Sequence, residues 1–396
     1  MIFGKNKLDK NLEYFLNNNC YKNYRVLIKY EHTSNSIIKK ISYSKGLIYH
    51  LTYSKIICAN LTKKLLLRLL EYPEIKYITF DEYLFLCGMS VNTANNTHFK
   101  NDFSLSGNNV GIGLIDSGVF PHPDLTTPSN RIYSFTDLIN NLSYPYDDNG
   151  HGTCVAGIIC GNGQASNTLY KGIAPHSKLY CYKAFDAHGK GFASNILFAL
   201  ENLIANHKEL NLKILCLPFE LLTPNIFITE AFDLTFLEAI KNNIVPITSS
   251  GSIPNSANFI NGISSLSSCI TVGGINSSKG FKPYKYSSCG YYKKLLKPDL
   301  SAAATNITSL NSDTKYISEK DGVKMYPNKL DASYKTFSGT SLSTAFISGI
   351  CALLYENNPD LTFKDVQSLL KLASDPHELS KESIGEGFLD LSKLPI

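Results

Sequence analysis

Three short segments of the 396-residue chain each set one reactive side chain among small residues. They are Ile115-Asp116-Ser117-Gly118, Gly150-His151-Gly152-Thr153 and Phe337-Ser338-Gly339-Thr340-Ser341-Leu342-Ser343. A serine hydroxyl becomes a useful nucleophile when an imidazole takes its proton and a carboxylate holds that imidazole in one tautomer and stabilises its charged form. Ser341, His151 and Asp116 can supply these three roles, and peptide hydrolysis is chemistry that needs them. The small neighbours suit a place where backbone must approach a reacting carbonyl closely and a Cβ would block it. Each residue taken alone reads as well in structural terms: Asp116 as a turn residue after a strand, His151 as a helix start, Ser341 as an N-cap. Their joint presence in these surroundings favours the chemical reading.

The elements that must position them are legible nearby. Asp116 follows the apolar run Val110–Ile115, and similar runs recur at Lys178–Ala184, Lys213–Leu217, Ile244–Thr248 and Cys269–Val272. Helical patterns at Ser194–Asn206 and Ala231–Asn242 alternate with them, which implies an open parallel sheet with helices on both faces. In such sheets the site lies at the carboxyl ends of the strands, where Asp116 falls. His151 opens the apolar helical run Val155-Ala156-Gly157-Ile158-Ile159, and Ser341 precedes a helix-like stretch Thr344–Tyr355. The Ser341 N–H is then free to face an oxyanion, because the first N–H groups of a helix have no intrahelical acceptor. Thr362–Leu372 reads as a surface helix.

The N-terminal part has a different rhythm. Tyr24–Glu31, Leu47–Tyr53, Lys55–Leu61 and Lys76–Leu86 read as strands, while Ser34–Ser44 and Lys63–Glu71 read as helices, the second closed by Pro73. The order is β-α-β-β-α-β, the split βαβ arrangement. Ser90–Ser104 is rich in Asn, Thr and Ser and reads as a linker. The expected division is a small domain over 1–89, folded from about residue 20, then a linker over 90–104 and a large domain over 105–396.

The chain order Asp, His, Ser is joined by further stretches. These are His122-Pro123-Asp124-Leu125, Gly172-Ile173-Ala174-Pro175, Val272-Gly273-Gly274, Lys297-Pro298-Asp299-Leu300, and Gly385 and Gly387 with Asp390. Over roughly residues 103–395 this set resembles the subtilisin-like serine proteases, in which the triad is known to run in that order. The resemblance implies an α/β fold, a three-layer domain with a mostly parallel sheet, preceded by a small α+β ferredoxin-like prodomain. It implies a serine endopeptidase made as a zymogen, with Asp116, His151 and Ser341 as triad and its own prodomain as inhibitor. Self-cleavage is expected near Cys87-Gly88-Met89-Ser90, at Met89 and Ser90. The oxyanion would be held by the Ser341 N–H with Ser252 and Thr340, and substrate by Cys216, Leu217, Pro218 and Gly251.

The chain also departs from the family. Ser252 stands where the family has an oxyanion-hole Asn, and its hydroxyl is one heavy atom shorter than a carboxamide nitrogen. In subtilisin itself the loss of that Asn costs about 100- to 1000-fold in turnover, a reduction and not an abolition. Thr340, Asn255 or Asn258 could compensate. Cys216-Leu217-Pro218 replaces the usual Ser-Leu-Gly, and Pro218 has no N–H to give an extended substrate, which together with the bulk of Phe219 favours narrow specificity. Cys154, Ala303-Ala304 and Ala345-Phe346 are smaller differences. Asp124 matches a calcium position of many relatives, but 162–170 does not clearly reproduce their second ligand set, so a structural calcium and a solvated Asp stay equal readings. No other cofactor is expected.

Composition bounds the rest. The chain is 43% apolar without low-complexity tracts, as globular proteins are. Residues 1–100 hold 15 Lys and Arg against 7 Asp and Glu, and the remainder 23 against 26. The basic charges are dispersed among Tyr, Leu and Ile, which argues against a nucleic-acid partner. No run approaches the ~18 apolar residues of a membrane span, and the N-terminal residues lack the apolar segment of a signal peptide. The expectation is a cytoplasmic protein with protein or peptide substrates and no membrane partner. The ten cysteines contain no C-x-x-C pair and read as reduced thiols. The alternative reading, motivated by Ser252 and Pro218, is a catalytically weak pseudoprotease that binds or regulates.

Overall fold

A computed structural model describes residues 7–31, 35–51, 56–80, 89–90, 95, 105–221, 225–278 and 280–394. The chain divides into two compact units, Met1–Leu86 and Cys87–Ile396. Most of the expected linker and the end of the expected strand Lys76–Leu86 lie outside the described residues.

The first unit comprises α1 (Lys10–Asn17), β1 (Tyr24–Tyr30), α2 (Asn35–Tyr43), β2 (Leu47–Leu51), β3 (Ile56–Leu61), α3 (Lys63–Leu69) and β4 (Ile75–Phe80). Alternation makes β1 a strand: Tyr24, Val26, Ile28 and Tyr30 are buried, whereas Arg25 and Lys29 are exposed. Thr62 caps α3 by accepting from the Leu65 N–H, and Leu66 and Leu69 are buried beneath it. The sheet runs β2-β3-β1-β4 with every neighbouring pair antiparallel. That is the split βαβ arrangement read from the sequence. The added element is α1, which buries Leu12 and Leu16 and starts at Asp9, whose carboxylate accepts from Leu12 N.

The second unit is built on a ten-stranded sheet. Its strands include β6 (Gly111–Asp116), β7 (Ile132–Asp137), β8 (Lys178–Lys183), β9 (Leu212–Leu217), β10 (Val245–Ser249), β11 (Ile270–Asn276) and β12 (Leu300–Ala303), following the two-residue β5 (Met89–Ser90). The order across the sheet is β7-β8-β6-β9-β10-β11-β12, and these pairs are all parallel. From β6 the chain moves outward to β7 on one side, and from β9 it moves outward to β10 on the other. The loops after β6 and β9 therefore part company, and the crevice of a doubly wound sheet opens at their carboxyl ends. β7 was not anticipated, because Ile132-Tyr133-Ser134-Phe135 is half polar and only Ile132 and Asp137 of the strand are buried.

The helices that carry the site are α4 (His151–Cys160) and α7 (Thr340–Asn357), with α5 (Ala193–Ala205) and α6 (Ile226–Lys241) between them in sequence and α8 (Phe363–Leu372) after them. α7 is buried almost all round and packs on α4 and on β9, β10 and β11. A helix apolar on every side belongs in the core of a large domain. Beside it β13 (Ile307–Leu310) pairs antiparallel with β14 (Tyr334–Phe337), which leads into the Ser341 segment. β5 pairs parallel with β13, Met89 opposite Ile307. Among the described residues every cysteine is free, and no helix is long and apolar enough to cross a membrane.

Phe346, one turn beyond Ser341, is fully buried in the main core. Phe346→Ala is expected to lower the unfolding free energy of the second unit by about 3–5 kcal/mol, read from urea midpoints at constant slope.

Candidate active site

Asp116 ends β6 and is 5% exposed. Its Oδ1 accepts from the Ser117 N–H at 2.6 Å and pairs with His151 Nδ1 at 2.8 Å, while Oδ2 lies 3.0 Å from the same nitrogen. A carboxylate on Nδ1 leaves Nε2 as the ring's proton acceptor. Burial lowers the pKa of His151, but the charges of Asp116 and Asp147 and the hydrogen bond to Asp116 raise it by more, so it stands above the ordinary imidazole value. The ring itself is 40% exposed and faces the crevice.

The loop before α4 holds this pair together. Asp147 is fully buried and its carboxylate accepts five hydrogen bonds: Oδ1 from Ser117 Oγ, Asn149 N and Gly150 N, and Oδ2 from Thr153 N and Thr153 Oγ1. Ser117 Oγ in turn accepts from the Gly152 N–H. Gly152 is required by contact, since a Cβ there would lie 2.0 Å from Gly118 O, and Gly118 itself has φ +116°. From the other side Lys183, at the end of β8, donates to Ser117 O at 2.6 Å, to Asp148 Oδ1 at 2.6 Å and to Phe185 O at 3.0 Å. Its buried charge lies 4.9 Å from the Tyr146 ring. Sequence reasoning passed over Asp147, Asn149 and Lys183. The spacing Asp147-x-x-Gly150-His151 was the available signal for the first, and an isolated lysine in an apolar strand for the last.

Ser341 is the second residue of α7, so its N–H has no intrahelical acceptor. Its Oγ donates to Pro218 O at 2.9 Å, and among the described residues no hydrogen bond joins it to His151. Ser252 N donates to Glu220 Oε2 at 3.0 Å and Ser252 Oγ to Glu220 Oε1. Thr340 Oγ1 donates to Gly251 O at 3.2 Å. Both side-chain hydroxyls expected at an oxyanion site therefore point their protons elsewhere in this geometry. The pocket beside His151 encloses roughly 280 Å³ and is lined by Asp116, His151, Phe185, Pro218, Phe219 and Glu220, among others.

Three of the residues expected to contact substrate do not line this pocket. Cys216 and Leu217 are fully buried inside β9, with Cys216 in register between Leu114 and Ile247 and its thiol pushed up to about 12 by burial. Gly251 is buried, outside that pocket, and carries Thr340 and Glu220 against it. Of the expected set, Pro218 alone lines the pocket, joined by Phe219 and Glu220. Cys154 is likewise buried, and burial pushes its thiol well up, which makes it an inert core residue.

Calcium does not fit at Asp124. Its carboxylate is fully buried and both oxygens are taken by protein donors, Oδ1 by the Ala165 N–H at 3.0 Å and Oδ2 by the Tyr334 hydroxyl. Among the described residues no group of three His, Cys, Asp or Glu could hold a metal. A buried carboxylate that faces two protein donors is poorly placed to serve a cation that needs six to eight oxygens.

Comparison with known proteins agrees with this geometry. The family model described as "Subtilase family" matches residues 107–387. Serine protease AprX of Bacillus subtilis (strain 168) is 32% identical over 289 residues, which cover 70% of this chain and 63% of that protein, so the match spans less than two thirds of the relative. Subtilisin E of the same organism is 27% identical, covering 81% of this chain and 75% of that protein. The solved structure of Sphericase superposes with a TM-score of 0.60 at 19% identity, covering 78% of this chain and all of that one, a likeness of fold.

A histidine acting as general base must be neutral, so if His151 has that role hydrolysis rises with pH through its pKa. The acid limb of a kcat/KM profile is therefore expected above about 6.5, the ordinary imidazole value. Asp147→Asn turns one acceptor oxygen into a donor facing donors, and should cost about 2–4 kcal/mol in a denaturation experiment. A cost below about 0.5 kcal/mol would show that water replaces those bonds.

Proposed function

Because the chain belongs to the subtilase family, we propose that it is a serine endopeptidase that uses Asp116, His151 and Ser341. The observation that carries this reading is the Asp116–His151 pair at 2.8 Å, held from one side by Asp147 and from the other by Lys183. The Ser341 hydroxyl turns about its Cα–Cβ bond from Pro218 O toward His151 Nε2. It then passes its proton to Nε2 as Oγ bonds to the scissile carbonyl carbon, whose π electrons move onto oxygen. The Ser341 N–H holds the resulting oxyanion. Collapse expels the peptide nitrogen, which takes the proton from His151, and water repeats the sequence to free the acid. Asp116 keeps the imidazole oriented and balances its charge while it is protonated.

We further propose that the first unit is an inhibitory prodomain removed by self-cleavage near Met89 and Ser90, and that specificity is narrow. The order of elements in that unit supports the prodomain reading. Pro218 supports narrow specificity, since it lines the pocket without an N–H to offer substrate. Cleavage requires the Met89–Ser90 segment to leave its pairing with Ile307–Thr308. One observation favours the second reading, a pseudoprotease: the Ser341 hydroxyl is bonded to Pro218 O and not to His151.

Intact mass, N-terminal sequencing and fluorophosphonate labelling of wild type beside Ser341→Ala separate the two. The peptidase predicts labelling and a chain split between about residues 86 and 92, both lost in the variant. A folded wild type that neither labels nor splits would favour the pseudoprotease.

A further inference from the structure

Glu220 has no part in the triad and stands closer to the nucleophile's surroundings than any role so far explains. Its carboxylate accepts both the N–H and the hydroxyl of Ser252, the residue at the oxyanion-side turn, and its side chain lines the pocket shared with His151 and Pro218. Gly251 is shaped to receive it: φ is +107°, and a Cβ there would sit 2.5 Å from Glu220 Oε2. Among the described residues no lysine or arginine forms an ion pair with Glu220. An unneutralised carboxylate beside the place where an oxyanion develops opposes the reaction. It also holds the Ser252 hydroxyl, a side-chain proton donor that could serve that oxyanion. A cation delivered by the substrate would remove both obstacles.

We propose that Glu220 is a specificity-determining residue that selects a lysine or arginine immediately before the scissile bond. That residue owns the carbonyl Ser341 attacks, so its Cβ is two bonds from the reacting carbon and its side chain begins beside Ser252 and Glu220. Its ammonium or guanidinium group pairs with the carboxylate, and the Ser252 hydroxyl is released toward the oxyanion. Recognition of the basic side chain and completion of the oxyanion site are thereby one event. Phe185 and Phe219, whose ring centroids are 5.2 Å apart, pack on each other and give the pocket an apolar wall on which the aliphatic stem can lie.

This inference rests on the peptidase reading, and its test separates the two. Peptides identical except for Arg, Lys, Leu, Phe or Glu before the scissile bond are compared by kcat/KM in wild type, Glu220→Gln and Glu220→Lys. In parallel, binding of peptides ending in arginine amide or leucine amide is measured calorimetrically on Ser341→Ala and on Ser341→Ala with Glu220→Gln. We expect wild type to favour Arg and Lys by about tenfold or more, Glu220→Gln to lose that preference, and Glu220→Lys to shift it toward Glu. The arginine amide should bind Ser341→Ala more tightly, with the advantage lost in the double variant. A binding preference without any hydrolysis would sink the peptidase reading and leave Glu220's role standing. Hydrolysis that favours Leu or Phe, or a basic preference retained in Glu220→Gln, would overturn the role of Glu220.

Discussion

The buried carboxylate of Asp147 is the constraint on which the rest of the site depends. An ionised group with no accessible water is tolerable only when hydrogen bonds replace its hydration, and five donors do so here. Those donors belong to two separate pieces of chain. Ser117 follows Asp116 at the end of β6, and Gly150 and Thr153 bracket His151 at the start of α4. One carboxylate thus sets the distance between the two titrating residues. Its position at the N-terminus of a ten-residue helix adds the favourable end of the backbone dipole. It also raises the pKa of His151 without touching the ring, so the same group positions the base and makes it more basic.

Topology supplies what Asp147 cannot. The reversal of winding between β6 and β9 opens the crevice, and the residues just beyond those strands, Ser117 and Pro218, are its opposite lips. Ser341 meets the Pro218 carbonyl at one lip, from the N-terminus of a helix buried almost all round. A helix so enclosed has little freedom to shift, and Ser341 inherits that rigidity. The chain crosses itself tightly at Gly118 and Gly152, where the backbone of the Asp loop passes under α4. The glycines of the two motifs therefore answer to packing between the segments, beyond any approach of substrate.

This explains what was legible in the sequence. Asp116, His151 and Ser341 lie at ends of elements whose periodicity is strong, so the runs Val110–Ile115 and Val155–Ile159 gave away their surroundings. Asp147 looked like a loop residue because its donors are backbone amides and hydroxyls, which leave no compositional trace. Glu220 was hidden for the same reason: its partner, Ser252, is thirty-two residues away and small. Cys216 and Leu217 were expected to meet substrate on the strand that pairs with its backbone, and in the structure their side chains are buried within β9. In the first unit the four strands were readable by alternation and order, but α1 was not, because Lys10, Glu13 and Tyr14 dilute its two buried leucines.

The departures at Pro218 and Ser252 look like losses when read against the family, yet each has acquired a partner. Pro218 offers no N–H, but its carbonyl receives the Ser341 proton, and Ser252 gives its own to Glu220. The site at rest thus has its Asp–His half assembled and its serine half satisfied elsewhere. Whether such a state forbids catalysis is a question of magnitude. Turning Ser341 from Pro218 to His151 exchanges one neutral hydrogen bond for another, and a typical bond of that kind is worth only about 0.5–1.5 kcal/mol. Enzymes lower barriers by about 8–23 kcal/mol, so a latch of this size slows a reaction slightly and cannot abolish it. On the proposed mechanism the carboxylate of Glu220 is the greater obstacle, because a charge beside a developing charge does not vanish on rotation. The proposed chemistry is then limited by the company of the oxyanion, more than by the geometry of Ser341.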